Sequence, residues 1–313
     1  MPPANRHEPQ RAKSSDSDYS VTEFLAEFPD DATCLEHLWR SRYSEDGEHA
    51  ECPKCEKTRV FKKYDTKQGR QSWTCTGCGH HIHPTAGTIF HKSSTSLRLW
   101  YHAIYLMTST RCGISAKQLE RELGVHYKTA WRMFNKIRSE LMADDDQPLE
   151  GDVEVDETSW GGKPRGLKKL SPREASAFRE AKTTILGMVE RDGRLRLRII
   201  PSRRGEGLSR AVRTHVNPDA FLLTDDWIAY KPLRKEYAGA VINHSEGQYV
   251  DAWCHTNTIE GAFGNLKTGM RGTYKHVSDK YLQSYLDEYV WRYNHRNDRK
   301  KAMFHKLLAE AAK

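Results

Sequence analysis

The chain has 313 residues, with 50 Lys plus Arg against 42 Asp plus Glu, a formal charge of +8 at pH 7 and a pI near 9.0. That length suits two or three domains with buried cores, and the seven cysteines, an odd number, argue against a small disulfide-held scaffold. No run approaches the roughly 18 apolar residues of a membrane span, and MPPANRHEPQ lacks the apolar centre of a signal peptide, so a cytoplasmic protein is expected. The cationic surplus points to a polyanionic partner.

Residues 1–20 mix Pro, Ser, Asp, Arg and Gln without apolar periodicity and are expected to form a disordered arm. Over 24–42, Phe24, Leu25, Phe28, Leu35, Leu38 and Trp39 predict one or two short helices. The most specific local signal follows: Cys52-Pro-Lys-Cys55 and Cys75-Thr-Gly-Cys78, separated by a segment holding Val60, Phe61, Tyr64 and Trp73. Each CxxC turn aims two thiolates at one point, and a hairpin between the turns brings four together around structural Zn²⁺. Residues 21–92 therefore read as N-terminal helices and a small four-cysteine zinc ribbon.

A helical domain is expected over 93–143, from helices at 97–107, 116–123 and 125–142. Gly124 breaks the last two as the turn of a helix-turn-helix does. Ala130, Met133, Phe134, Ile137 and Leu141 form the buried stripe of the third helix, while Lys128, Arg132 and Asn135 occupy another face and are candidates for DNA contact. A plain three-helix bundle with a solvated basic face fits the same pattern.

Three aspartates at 144–146, then Gln147-Pro148, mark an acidic linker over 144–149. Strands and helices alternate over 150–300. Val153 and Val155 predict a strand delivering Asp156 at its end, and the apolar run 221–223 predicts one delivering Asp225. Between them, the basic stretch 163–182, with Lys163, Arg165, Lys168 and Lys169, is either a DNA clamp or a solvated loop. Segments 183–189 and 195–200 flank Asp192-Gly193 as a hairpin. Ile259, Phe263 and Leu266 recur at helical spacing, which puts Glu260 and Lys267 on nearly one face of a helix, and 281–293 is a further helix expected to pack on the sheet. Residues 301–313 read as a C-terminal tail.

Asp156, Asp225 and Glu260 are acids on separate rigid elements, which suits them to hold Mg²⁺ or Mn²⁺. Two such ions serve in-line phosphoryl transfer, and Lys267 would hold a non-bridging phosphate oxygen. A chain with 42 acids also places some after strands by chance.

VDETSWGGK from Val155, LLTDDWIAY from Leu222, HTNTIEGAFGNLK from His255 and YLDEYVWRYNHR from Tyr285 occur in an order that resembles the DDE transposases of bacterial insertion sequences. The group in question has an N-terminal zinc ribbon, a helix-turn-helix and a ribonuclease-H-like catalytic domain, and the resemblance spans about residues 20–300. It implies a multidomain α+β chain whose α/β catalytic domain has a mixed sheet with helices on both faces. Asp156 and Asp225 are implied as catalytic aspartates and Glu260 as the third acid, with 34 residues between Asp225 and Glu260. Some relatives use an asparagine as the third ligand, so Asn257 stays open beside Glu260. The resemblance further implies binding of terminal inverted repeats, metal-dependent cleavage and strand transfer on double-stranded element ends and target, and a homodimer or larger assembly on DNA. Two other readings stand beside it: an inactive transposase-derived DNA-binding regulator, and a metal-dependent nuclease without strand transfer.

Overall fold

The computed structural model describes residues 18–65, 71–110, 112–143, 147–161, 171, 182–202, 206–242 and 256–313. Lys163, Arg165, Lys168, Lys169, linker residues 144–146 and most of the N-terminal arm lie outside them. The chain divides into two compact units, one built on Ala143–Arg296 and one on Ala12–Met142 with Asn297–Lys313. The ribbon and the helix-turn-helix segments, expected as separate domains, thus fall in one unit. Among the described residues no helix is long and apolar enough to cross a membrane.

In that unit, α1 (Val21–Glu27) begins with a capping box, in which Ser20 Oγ accepts from Glu23 N while the Glu23 carboxylate accepts from Ser20 N. Asp30 caps α2 (Asp31–Arg42) by accepting from Thr33 N at 2.8 Å. An antiparallel sheet follows, ordered β1 (His49–Cys52), β2 (Lys57–Asp65), β3 (Gln71–Cys75) and β4 (His81–Ile82). Trp39 of α2 stacks on Trp73 at 5.0 Å and 11° and buries itself with Ala50, Phe61 and Ile82, so the ribbon has an apolar core besides its cysteines. Then come α3 (Leu97–Ser109), α4 (Ala116–Leu123) and α5 (Tyr127–Lys136), which runs into one π turn at Ile137–Leu141. Gly124 takes φ 63° as the left-handed cap of α4, a conformation open to glycine at little cost. The stripe from Ala130 to Leu141 is buried.

Two expectations need correction. At the end of the arm, Tyr19 is 3% exposed, its hydroxyl donating to Glu27 Oε2 at 2.8 Å, and Asp18 accepts from Lys300 N at 3.1 Å. The segment read as a tail is a helix, Lys300–Ala311, whose Phe304 is fully buried against the rings of Tyr19, Phe24, Phe28 and Tyr105. Each of these segments carries too little apolar surface to signal a core alone, and they pack because they meet.

The second unit holds β5 (Asp152–Trp160), β6 (Thr183–Glu190), β7 (Leu195–Ile200), α6 (Glu206–His215), β8 (Phe221–Asp225), β9 (Gly239–Ile242), α7 (Asn257–Gly269) and α8 (Asp279–Asn294). The sheet is mixed, in the order β7-β6-β5-β8-β9, with β6 antiparallel to both neighbours and β5, β8 and β9 parallel. Val153, Val155, Leu186, Met188 and Leu222 face Leu208 and Val212 of α6 together with Tyr230 and Leu233. The helix α7 lies against β5 and β6, with Ile259 and Phe263 next to Gly187. From α8, Gln283 accepts from Ile199 N and donates to Leu197 O, both at 3.0 Å, and Asn294 bonds Leu195 N and O. These amides satisfy backbone groups that an edge strand would otherwise leave open to pairing.

Candidate active site and metal centres

The centre of the second unit is β5, and Asp156 lies inside it rather than at its end. Pairing with β6 runs from Val153 out to Trp160, whereas pairing with β8 stops at Glu154 opposite Leu223. Asp156 is therefore a mid-strand residue on a flank that one neighbour has left, which keeps it only partly buried. The offset between paired residues of β5 and β8 is 69 positions (221 − 152), and carried past Glu154 it brings Asp225 (156 + 69) level with Asp156. Alternation along both strands puts the two acids on the face of Glu154 and Leu223. The chain turns just after Asp225, whose Oδ1 accepts from Trp227 N at 3.1 Å, while Arg234 donates to its backbone oxygen at 2.7 Å.

Three contacts bring α7 to that face. Opposite Asp156 on β6 stands Gly187, where a Cβ would lie 2.6 Å from Ile259 Cδ1 and from Phe263 Cζ, so the helix sits nearer than any side chain would allow. At its start, the completely buried Glu154 accepts from Thr258 N at 3.0 Å, Ile259 N at 3.1 Å and Thr258 Oγ1 at 2.9 Å, and from Arg191 Nε at 3.2 Å. Toward its end Lys267 Nζ donates to Thr158 Oγ1. Glu154, Asp156 and Thr158 share one face of β5, so the strand grips the helix on either side of Asp156. Glu260 is exposed in the first turn, where the N-terminal end of a helix favours an anion, and Asn257 is exposed at the first helical position.

Burial pushes the Asp156 carboxyl up to about 7, helped by the charges of Glu157, Asp225 and Glu260 and opposed by a 2.7 Å bond from Glu157 N. The acids of three separate elements are thus close enough to resist one another's ionisation, the state that a cation among them relieves. Burial and the neighbouring charges of Arg271 and Lys182 hold the Lys267 amine below its ordinary range, while Asp156 pulls it up. On the other face of β5, Glu157 is buried and accepts from the Tyr230 hydroxyl at 2.5 Å. Glu154 and Gly187 escaped the sequence reading. Their signals were an acid sharing parity with Asp156 and a lone glycine inside the apolar run TTILGMVE.

The cysteines converge as expected. Among the described residues they are the one group of three or more potential ligands whose donor atoms all lie within 4.8 Å of one another, and the three acids are spread more widely. Cys52 Sγ is 3.7 Å from Cys78 Sγ, and Cys55 Sγ is 4.0 Å from Cys75 Sγ. Tetrahedral Zn²⁺ with Zn–S near 2.3 Å requires S···S of about 3.8 Å, so the donor set fits. The two turns are matched: Glu56 N donates to Cys52 O at 2.8 Å and Gly79 N to Cys75 O at 2.9 Å, with φ of 53° and 71° at the donors. Hydrogen bonding to Cys78, with burial, pushes the Cys55 thiol up to about 12, whereas at Cys52 burial is outweighed by hydrogen bonds from the Cys55 and Lys54 backbone, which lower that thiol to about 7.

On α5, Lys128 and Arg132 are exposed, and Arg132 also donates to Thr95 Oγ1 at 3.0 Å. Asn135 departs from the expected basic face: it is only partly exposed and its Oδ1 is covered, with no hydrogen-bond partner among the described residues. Exposure falls toward the C-terminal half of α5, where the fold closes over it. Asn294, His295 and Arg296 at the end of α8 are engaged within the fold, by the β7 backbone, the Trp291 ring and the Tyr293 ring respectively.

Residues 148–294 match the ISXO2-like transposase domain. A protein of Halobacterium salinarum described as an uncharacterized protein in transposable element ISH50 is 28% identical over 254 residues, which cover 77% of this chain and 84% of that protein. That relative is archaeal, so the likeness is not confined to bacterial elements. No solved structure matches the chain.

Proposed function

Because the chain belongs to the insertion-sequence DDE transposases, we propose that it cuts and joins DNA at the carboxylates of Asp156, Asp225 and Glu260. The observation that carries this is the level placement of Asp156 and Asp225 on adjacent parallel strands, together with the effect of Asp225 and Glu260 on the Asp156 carboxyl. The strand order, with one antiparallel strand beside the central one, supports a ribonuclease-H-like reading of the catalytic unit.

In this reading the three acids hold Mg²⁺ or Mn²⁺, hard cations that suit oxygen ligands. When bound, such ions activate an attacking oxygen and stabilise a departing one. The attacking oxygen belongs first to water and then to a freed 3′ hydroxyl, and no covalent protein intermediate is needed. Lys267, whose amine donates to Thr158 Oγ1, would bind a non-bridging phosphate oxygen. Glu260 is preferred to Asn257 as the third ligand because a carboxylate is the stronger ligand for a hard cation, and its charge reaches Asp156. Cys52, Cys55, Cys75 and Cys78 hold structural Zn²⁺, and the exposed Lys128 and Arg132 carry contact with element ends. Asn135 is a weaker DNA candidate than these two. Lys163, Arg165, Lys168 and Lys169 remain candidates for a DNA clamp, and a homodimer or larger assembly would hold two double-stranded ends in the cytoplasm.

Incubation with a labelled element end, a target plasmid and Mg²⁺ tests the proposal. Joined products are expected. Cleavage without joining would favour a plain nuclease, and neither product would leave a DNA-binding regulator. Asp225→Asn should abolish cleavage and keep specific end binding.

A further inference from the structure

We propose that Glu154 is a positioning residue for the acid site: by clamping the start of α7 onto β5 it sets the spacing between Glu260 and Asp156. The inference rests on the reading of those acids as metal ligands.

A helix leaves its first N–H groups without intrahelical partners, and a side chain just before it normally takes one. Ser20, Asp30 and Ser115 do so for α1, α2 and α4, each from its own N-cap position. Among the described residues nothing comparable happens at α7, where the N-cap residue, Thr256, makes no side-chain cap bond. The acceptor comes from 104 residues away, as Glu154 Oε2 takes both Thr258 N and Ile259 N. Its other oxygen, Oε1, is held by Thr258 Oγ1 and Arg191 Nε, so the carboxylate is fixed at both ends.

The difference between a local and a distant cap decides what the cap can do. A local cap stabilises a helix wherever it lies, whereas one supplied by β5 also fixes where the helix begins relative to the strand. The two elements so joined are those that carry the acids: Asp156 lies two residues beyond Glu154 on the same face, and Glu260 directly follows Ile259. Stability alone is a poor reason for this arrangement. A completely buried carboxylate is costly to desolvate, and well-packed apolar substitutes for buried ion pairs are often neutral or stabilising.

The test compares zinc-loaded full-length wild type, Glu154→Gln and, as a control, Val153→Ala. Gln keeps the shape but has one acceptor oxygen where the carboxylate has two, so its NH₂ faces either the Thr258 and Ile259 N–H groups or Arg191 Nε, donors in both cases. Val153 is the buried neighbour on the opposite face of β5 and touches the core rather than α7. Hydrogen exchange at the amides of Thr258 and Ile259 and the Mn²⁺ dissociation constant, read from the paramagnetic signal of free Mn²⁺, are both measured without DNA. Glu154→Gln is expected to speed exchange at those two amides and to weaken Mn²⁺ binding about tenfold to a hundredfold, the range found when a residue supporting a metal ligand is removed. On element ends it should lower kcat and leave KM for DNA unchanged. Val153→Ala should lower the melting temperature and leave Mn²⁺ affinity as in wild type. The inference is overturned if Glu154→Gln binds Mn²⁺ as wild type does, or if Val153→Ala weakens binding equally. Should Glu154→Gln fail to fold, Thr258→Ala removes one donor of the four, and unchanged Mn²⁺ affinity there overturns the inference too. Failure of the wild type to cut DNA would count against the transposase activity only, since Mn²⁺ affinity and amide exchange do not depend on it.

Discussion

Replacing Gly187 with Ala perturbs the site without touching any of its polar groups. The new methyl carbon would lie 2.6 Å from Ile259 Cδ1 and Phe263 Cζ and 2.9 Å from Phe263 Cε1, where carbon atoms in contact prefer about 3.5–4.0 Å. Relief requires either a retreat of α7 by about 1 Å or new rotamers for two buried side chains, and over-packing of this kind costs about 1–3 kcal/mol. Gly187 is the cross-strand partner of Asp156, and Glu260 follows Ile259 on α7. A retreat of the helix therefore carries Glu260 away from Asp156, and a misplacement of about 1 Å can slow a reaction about a hundredfold. Urea unfolding reads the first effect, and the rate of cleavage of a labelled element end reads the second. Gly261→Ala on the same helix is the stability control, because nothing lies within 4 Å of the added carbon. It should gain up to about 1 kcal/mol from helix propensity. If Gly187→Ala is as stable and as fast as wild type, the close approach of α7 does not set the site.

The raised Asp156 value gives a pH dependence whose sign is fixed. A carboxyl held at about 7 in the fold and near 3.9 when unfolded leaves stability intact below pH 4 and erodes it as pH rises through 7, by a few kcal/mol at most. Urea titration of protein kept free of Mg²⁺ but loaded with zinc should show that loss between about pH 4 and 7, Asp156→Asn should flatten it, and parallel curves for the two proteins would remove the acid-cluster explanation. Cys75→Ser should lose the bound zinc, about one ion per wild-type chain, and with it the near-ultraviolet dichroism of the Trp39–Trp73 stack. Metal analysis that finds full zinc in this variant would disprove the four-cysteine site. Phe304→Ala should cost the unit that holds the C-terminal helix about 3–5 kcal/mol, seen as an earlier calorimetric transition. An unchanged melting curve would mean that this helix is not part of that core.

The acids were legible because each sits on an element with a strong local pattern. Val153 and Val155 mark a strand, 221–223 a second, and Ile259, Phe263 and Leu266 a helix, so Asp156, Asp225 and Glu260 could be named without knowing how the elements meet. What the pattern could not carry is pairing. A period of two says which residues share a face but not whether that face is covered, so nothing in it sets Glu154 apart from a solvent-facing residue of a half-buried strand. It is buried because α7 covers it. The same limit explains why the strand was ended at Asp156: the remaining residues to Trp160 are held in β5 by β6, a partner 23 or more positions away. Tyr19 and Phe304, at opposite ends of the chain, became core only by meeting each other. The spacing of the acid site is likewise a property of pairs. It follows from the β5–β8 register for Asp225, and from Gly187 and the Glu154 cap for Glu260, and it is at these supporting positions that a substitution can move the acids without altering one of them.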